Sequence, residues 1–210
     1  MKIFTLAIFL SVLISTVSAQ KVRFGAMGGV NSHRMSSSSL DFESQFGFQF
    51  GLTSYQKLSE KTAVRVGLLY KQKRTGLKRQ AFEFDEFGLV INERTIITDF
   101  SYTYMTLPII LEYGWKEKIN LLVGTNLDFN LSDEYRIEGE EINLGTRTNT
   151  FDFGVNLGLS YEITPALDIA FLYNRNFLNV LEELFNMNTF SNERFSTAFE
   201  LNLIYYFKDL

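Results

Sequence analysis

The segment Thr150-Phe151-Asp152-Phe153-Gly154-Val155-Asn156-Leu157-Gly158-Leu159-Ser160-Tyr161 alternates strictly. Phe151, Phe153, Val155, Leu157, Leu159 and Tyr161 fall on one face of an extended chain, and Asp152, Gly154, Asn156, Gly158 and Ser160 on the other. Successive side chains of a strand point to opposite sides of its sheet. A period of two therefore predicts a β-strand with one apolar and one polar face.

The same period recurs on both sides of this segment. Strands are predicted over Lys21–Asn31, Ser44–Gln56, Ala63–Arg74, Ser101–Trp115, Ile119–Leu131, Thr150–Tyr161, Ala166–Asn174 and Phe195–Phe207. They exceed the ~5 to 6 residues of ordinary strands and match the ~9 to 11 of a tilted strand crossing a bilayer. The connections alternate in length, short at Lys57–Thr62, Lys116–Lys118 and Glu162–Pro165, and long at Ser32–Glu43, Thr75–Phe100, Ser132–Asn149 and Arg175–Arg194. One end of the sheet is trimmed and the other elaborated, as in outer-membrane barrels. The predicted fold is all-β: an eight-stranded antiparallel up-and-down transmembrane β-barrel with short periplasmic turns, long extracellular loops and both termini periplasmic. A soluble lipocalin-type carrier has a similar strand count, so the side that meets lipid has to be decided separately.

The polar face is rich in Gly, Asn, Thr and Asp and poor in Lys and Glu, unlike a water-facing surface. Small residues suit the interior of a narrow barrel, so this face is predicted to point in. Aromatic residues gather at both strand ends. Tyr55, Tyr113, Trp115, Tyr161, Tyr205, Tyr206 and Phe207 lie at the trimmed end, and Tyr70, Tyr102, Tyr104, Phe151, Tyr173 and Phe195 at the loop end. Two such belts with aliphatic residues between them are what bilayer interfaces select.

Composition agrees and closes off other classes. The 210 residues are 46% hydrophobic with a net charge of −4, which excludes a disordered chain. A pI near 5.2 gives no electrostatic footprint for nucleic acid. The absence of cysteine excludes disulfides, thiolate metal sites and a cysteine nucleophile. Residues 1–19 read as a cleaved signal peptide, with Lys2 as the charged start, Ile3 to Ile14 as the apolar run and Val17-Ser18-Ala19 as the cleavage site, leaving 20–210 as the barrel domain.

The stretch Tyr102-Thr103-Tyr104-Met105-Thr106-Leu107-Pro108-Ile109-Ile110-Leu111-Glu112-Tyr113 resembles the fourth-strand motif of the PorT-like family of outer-membrane β-barrels, with Glu112 where that family often has Lys. Phe151–Tyr161 and Leu167–Asn174 are similar to the family as well. The resemblance implies the barrel fold and, for some members, a role in protein secretion. Many outer-membrane barrels end in an aromatic residue. Here Tyr205-Tyr206-Phe207 stands three residues before the terminus.

With the polar face inside, Arg23, Arg65, Glu112, Asp128, Asp152, Asp168 and Glu200 share the lumen. Isolated buried charges are costly, so a paired network that plugs the barrel and fixes register is expected. A narrow porin-like solute or ion channel is the alternative. Lys71, Lys73, Arg74, Lys78 and Arg79 lie where the third strand leaves the membrane and are candidate contacts for lipopolysaccharide phosphates. The acidic loop containing Asp133, Glu134, Glu138, Glu140 and Glu141 lacks the Asp-x-Asp-x-Asp-Gly spacing of a calcium loop. His33, at the first loop beside Ser32 and the run Ser36–Ser39, is the lone imidazole, and flexible serine-rich sequence does not assemble a catalytic triad. Leu178, Val180, Leu181, Leu184, Phe185 and Met187 have approximate helical spacing in the last long loop, as if to pack over the barrel mouth. The expected protein is a monomeric, non-catalytic barrel without cofactor or metal. Its expected role is structural or interactive, its partners outer-membrane lipid, lipopolysaccharide and an envelope protein, with no nucleic acid.

Overall fold

The computed structural model describes residues 22–36, 41–84, 87, 90–137, 140–141, 150–177 and 195–207. Eight long strands form the wall: β1 (Val22–Ser36), β2 (Asp41–Lys57), β3 (Thr62–Phe84), β4 (Val90–Lys116), β5 (Ile119–Ile137), β6 (Phe151–Thr164), β7 (Leu167–Asn176) and β8 (Phe195–Tyr206). Each pairs antiparallel with its chain neighbours, and β1 pairs with β8, so the ring closes without an edge. A two-residue strand, Glu140–Glu141, folds back on the end of β5. The predicted signal peptide and the apolar stretch 178–194 lie outside the described residues.

Closure fixes which face each residue takes. Along β6, Phe151, Phe153, Val155, Leu157, Leu159 and Tyr161 are exposed on the outer wall, while Asp152, Asn156 and Ser160 are buried inside. The outer belts contain Phe48, Phe50, Tyr70 and Phe199 at the loop end and Tyr113, Trp115, Tyr161 and Tyr205 at the trimmed end.

Four of the predicted belt residues are on the inner face instead. Tyr102, Tyr104 and Tyr206 are buried in the lumen, and Tyr55 packs against the interior cluster from the same side. The cause is parity: Tyr102 and Tyr104 share the even positions of β4 with Thr106, Ile110 and Glu112, all inward-facing. Position along a strand sets depth in the membrane, whereas only the period of two sets the face.

The predicted long loop 75–100 is also different. Thr75–Phe84 pairs with Val90–Phe100, and past Lys78 and Thr98, where pairing with β2 and β5 ends, β3 and β4 rise together as a ribbon beyond the ring. Exposed on most of both faces, this segment needs no apolar alternation, and the strand signal fades where lipid ends.

Pro108 sits in the middle of β4, where a missing N–H would break a ladder. The β3–β4 pairing is interrupted there, between Val66–Ile109 and Leu69–Thr106. The ring of Pro108 lies over Gly67, where an added Cβ would be 3.1 Å from Pro108 Cγ. The Leu-Pro motif and the glycine opposite it are one packing solution.

Candidate functional site: the filled lumen

The interior is stacked in four layers from the trimmed end to the loop end. The first is charged. Arg65 on β3 pairs with Glu112 on β4, and its Nη2 lies 3.8 Å from Asp168 on β7, across the barrel. Arg23 closes this mouth: its guanidinium is 4.5 Å from the rings of both Tyr55 and Tyr206, and its Nη1 donates to the Pro165 carbonyl at 3.0 Å. The second layer is apolar and includes Met27, Leu69, Ile110, Leu122, Leu172 and Ile204.

The third layer is polar and densely bonded. Lys71 Nζ donates to Glu200 at 2.8 Å, and Gln49 Nε2 donates to Glu200 at 2.9 Å and to Asn202 at 2.6 Å. Lys73 Nζ donates to Asp128 Oδ2 at 2.6 Å. Asn126 and Asn176 donate to the same oxygen at 2.8 and 2.9 Å, and Asn176 also reaches Asp152 at 2.7 Å. Asn174 links Asn126 and Asn156 at 2.5 and 2.7 Å. Gly154 makes room for this amide cluster, since a Cβ there would stand 2.7 Å from Asn126 Oδ1 and 2.9 Å from Asn176 Oδ1.

The fourth layer is an aromatic cap: Phe42, Phe100, Tyr102, Tyr104 and Tyr135 with Met35 and Leu77. Phe100 meets Tyr135 edge to face at 5.4 Å, a favoured ring geometry. A cavity of about 20 Å³ remains between the lower layers and the polar one, beside Arg65, Leu69, Lys71 and Glu200. That is room for about one water.

Arg65, Glu112, Asp128, Asp152, Asp168 and Glu200 are thus all buried in the lumen, and Arg23 is at its mouth. The basic run on β3 divides. Lys71 and Lys73, expected at the outer surface, are buried at 3% and 2% exposure as counterions of Glu200 and Asp128. They share the odd positions of β3 with Arg65, so alternation carried past Lys71 finds them. Arg74 faces outward and is half-buried, Lys78 is exposed and lies 2.5 Å from Glu43, and Arg79 is exposed on the ribbon. His33 lies within β1 and is buried in the lumen, not on a flexible loop. Among the described residues no three His, Cys, Asp or Glu side chains come close enough together to hold a metal ion.

Residues 18–182 match the family described as Outer membrane protein beta-barrel domain. No curated protein matches the sequence as a relative. Among solved structures, Neisserial surface protein A is similar at a TM-score of 0.54 and 16% identity, covering 88% of this chain and 97% of that one. Ail, the attachment invasion locus protein of Yersinia pestis, solved with the heparin analogue sucrose octasulfate, gives 0.49 and 14%, covering 89% and 99%. Matched over most of its length and built as a closed ring of eight antiparallel strands, the chain belongs to the outer membrane protein beta-barrel domain family and resides in the outer membrane.

Proposed function

We propose that the protein is a closed, non-conducting barrel with a structural or interaction role in the cell envelope, rather than a catalyst or a pore. The observation that supports this is the packing of the described interior: charged, apolar, polar and aromatic layers follow one another, and the cavity beside Arg65, Lys71 and Glu200 holds only about 20 Å³. An ion crossing would have to separate Arg65 from Glu112 and Lys73 from Asp128 in turn. Breaking one buried pair costs about 3–5 kcal/mol. Purified protein in planar bilayers is expected to give a flat current trace. Stable unitary steps would reject the reading in favour of a porin-like channel.

Function on this reading lies on the outside of the wall. Its partners are lipopolysaccharide and an envelope protein. The PorT-like stretch Tyr102–Tyr113 supports a more specific form, an accessory to protein secretion. Crosslinking in the native envelope is expected to recover a secretion component attached to the extracellular ribbon or loops. Recovery of lipid adducts alone would reject the secretion role.

A further inference from the structure

The ribbon divides its charges between its two faces. Pairing of β3 with β2 ends at Lys78 and that of β4 with β5 at Thr98, and the two strands continue alone through the rows Arg79–Ile96, Gln80–Thr95, Ala81–Arg94 and Phe82–Glu93. Directly opposite residues share a face, and the face alternates from row to row. The odd positions of β3 that face the lumen at Lys71, Lys73 and Leu77 lead on to Arg79, so Arg79 and Arg94 lie on the face above the barrel mouth. The even positions, outward at Tyr70, Arg74 and Lys78, lead on to Phe82, which stands opposite Glu93 on the face turned away from the barrel axis.

Toward the tip this outer face is apolar and acidic. Phe82 is four residues past Lys78, about 13 Å along the strand. Phe82, Val90 and Ile91 are 45%, 54% and 64% exposed, and Phe87 at the turn is 86% exposed. Residues 80–93 carry Glu83, Asp85, Glu86 and Glu93 and no basic residue. Clustered exposed apolar groups mark an interaction surface, and here the field around them is negative. That charge selects the occupant. An anionic lipid surface and the acidic tip of a second copy are both repelled, and Glu134 and Glu140 at the end of β5 add further negative charge nearby. A basic, apolar protein surface gains from the charge and from the burial.

We propose that the outward face of the β3–β4 ribbon, centred on Phe82, Val90 and Glu93, docks a basic, apolar segment of an envelope protein. This rests on the reading of an envelope protein as a partner and names that partner's chemistry and its place on the barrel. Phe82 and Val90 supply the apolar contact and Glu93 the ionic one, while Arg79 and Arg94 are kept to the other face.

The test is a titration of the full chain in nanodiscs of zwitterionic lipid, with empty discs as the reference. The probes are two fluorescent octapeptides, one alternating Lys with Val and the other Glu with Val. Wild type is expected to bind the Lys peptide at least tenfold more tightly, with an affinity that falls as salt rises. The apolar variant Phe82→Ser/Val90→Ser and the charge variant Glu83→Gln/Asp85→Asn/Glu86→Gln/Glu93→Gln should each lose about tenfold. Glu134→Gln/Glu140→Gln should lose little. Heat-modifiable gel migration confirms that each variant is folded, since the substituted rows lie beyond the ring. Equal binding of the two peptides, or a loss confined to Glu134→Gln/Glu140→Gln, would overturn the ribbon site. Photo-crosslinking from position 87 in the native envelope separates this inference from the reading beneath it. Adducts to a basic, apolar peptide of an envelope protein are expected. Adducts to an acidic peptide or to a second copy would overturn the inference alone, and lipid adducts alone would overturn the inference and the envelope-protein reading together.

Discussion

Lys73 and Lys78 lie on the same strand, five residues apart, and each is bonded to one carboxylate at close to 2.6 Å. Their surroundings set them apart. Lys73 is buried beneath the aromatic cap, with Asp128, Asp152 and the amides of Asn126 and Asn176 around it, while Lys78 and Glu43 are each about 40% exposed. Distance alone does not rank ion pairs. What ranks them is whether water can take over when one partner leaves.

Removing the buried cation is the most severe way to break this comparison. Lys73→Met leaves Asp128 and Asp152 adjacent and without a counterion, and is expected to destabilise the barrel by about 3–5 kcal/mol. The reading is the denaturant midpoint, followed by heat-modifiable gel migration. Arg65→Met removes the cation shared by Glu112 and Asp168, but Arg23 is still present at that mouth and water is nearer. About 2 kcal/mol is expected, visible in the same titration. A loss larger than that of Lys73→Met would show that the mouth, not the polar layer, is the less forgiving end.

At the turn between β4 and β5, Lys118 has a φ of 66°. Lys118→Gly should stabilise by about 1 kcal/mol, since glycine takes this conformation without a Cβ clash. Lys78→Met should leave the midpoint where it is. The Lys78 pair is better followed by pH. Its hydrogen bond and charge attraction to Glu43 raise the lysine pKa above the usual 10.5. A raised value means the contribution is complete at neutral pH and disappears only as alkaline pH passes it. Amide protection factors in the ribbon, which remove the base catalysis of intrinsic exchange, should therefore fall there, and a fall already at pH 8 would contradict the pair.

Alternation made the wall legible in the sequence. The face of β6 could be assigned residue by residue, and the inward charges Arg65, Glu112, Asp128, Asp152, Asp168 and Glu200 followed from the same parity. Depth was less legible than face. Tyr102 and Tyr104 mark the loop end of β4, as belt residues do, and only counting from Glu112 shows that they point inward. Lys71 and Lys73 were obscured by their neighbours Arg74, Lys78 and Arg79, because a basic run at a membrane edge reads as one surface. The ribbon was missed for the opposite reason: a strand pair with water on most of both faces has no apolar stripe to announce it.

The interior bonds also set an order of events for assembly. Lys71 is on the third strand and its carboxylate, Glu200, is on the eighth. Arg65 waits in the same way for Asp168 on the seventh. Until the last strands arrive, Lys71 lacks its carboxylate and Arg65 has only Glu112 on the neighbouring strand, and a half-built sheet has to keep its concave side wet. Arrival of β8 supplies the missing acid and the seam hydrogen bonds together, so drying of the interior and closure of the wall become a single late step. A chain that stalls before β8 therefore presents charge to the bilayer, a chemical sign of incompleteness that disappears from the outside of a finished barrel.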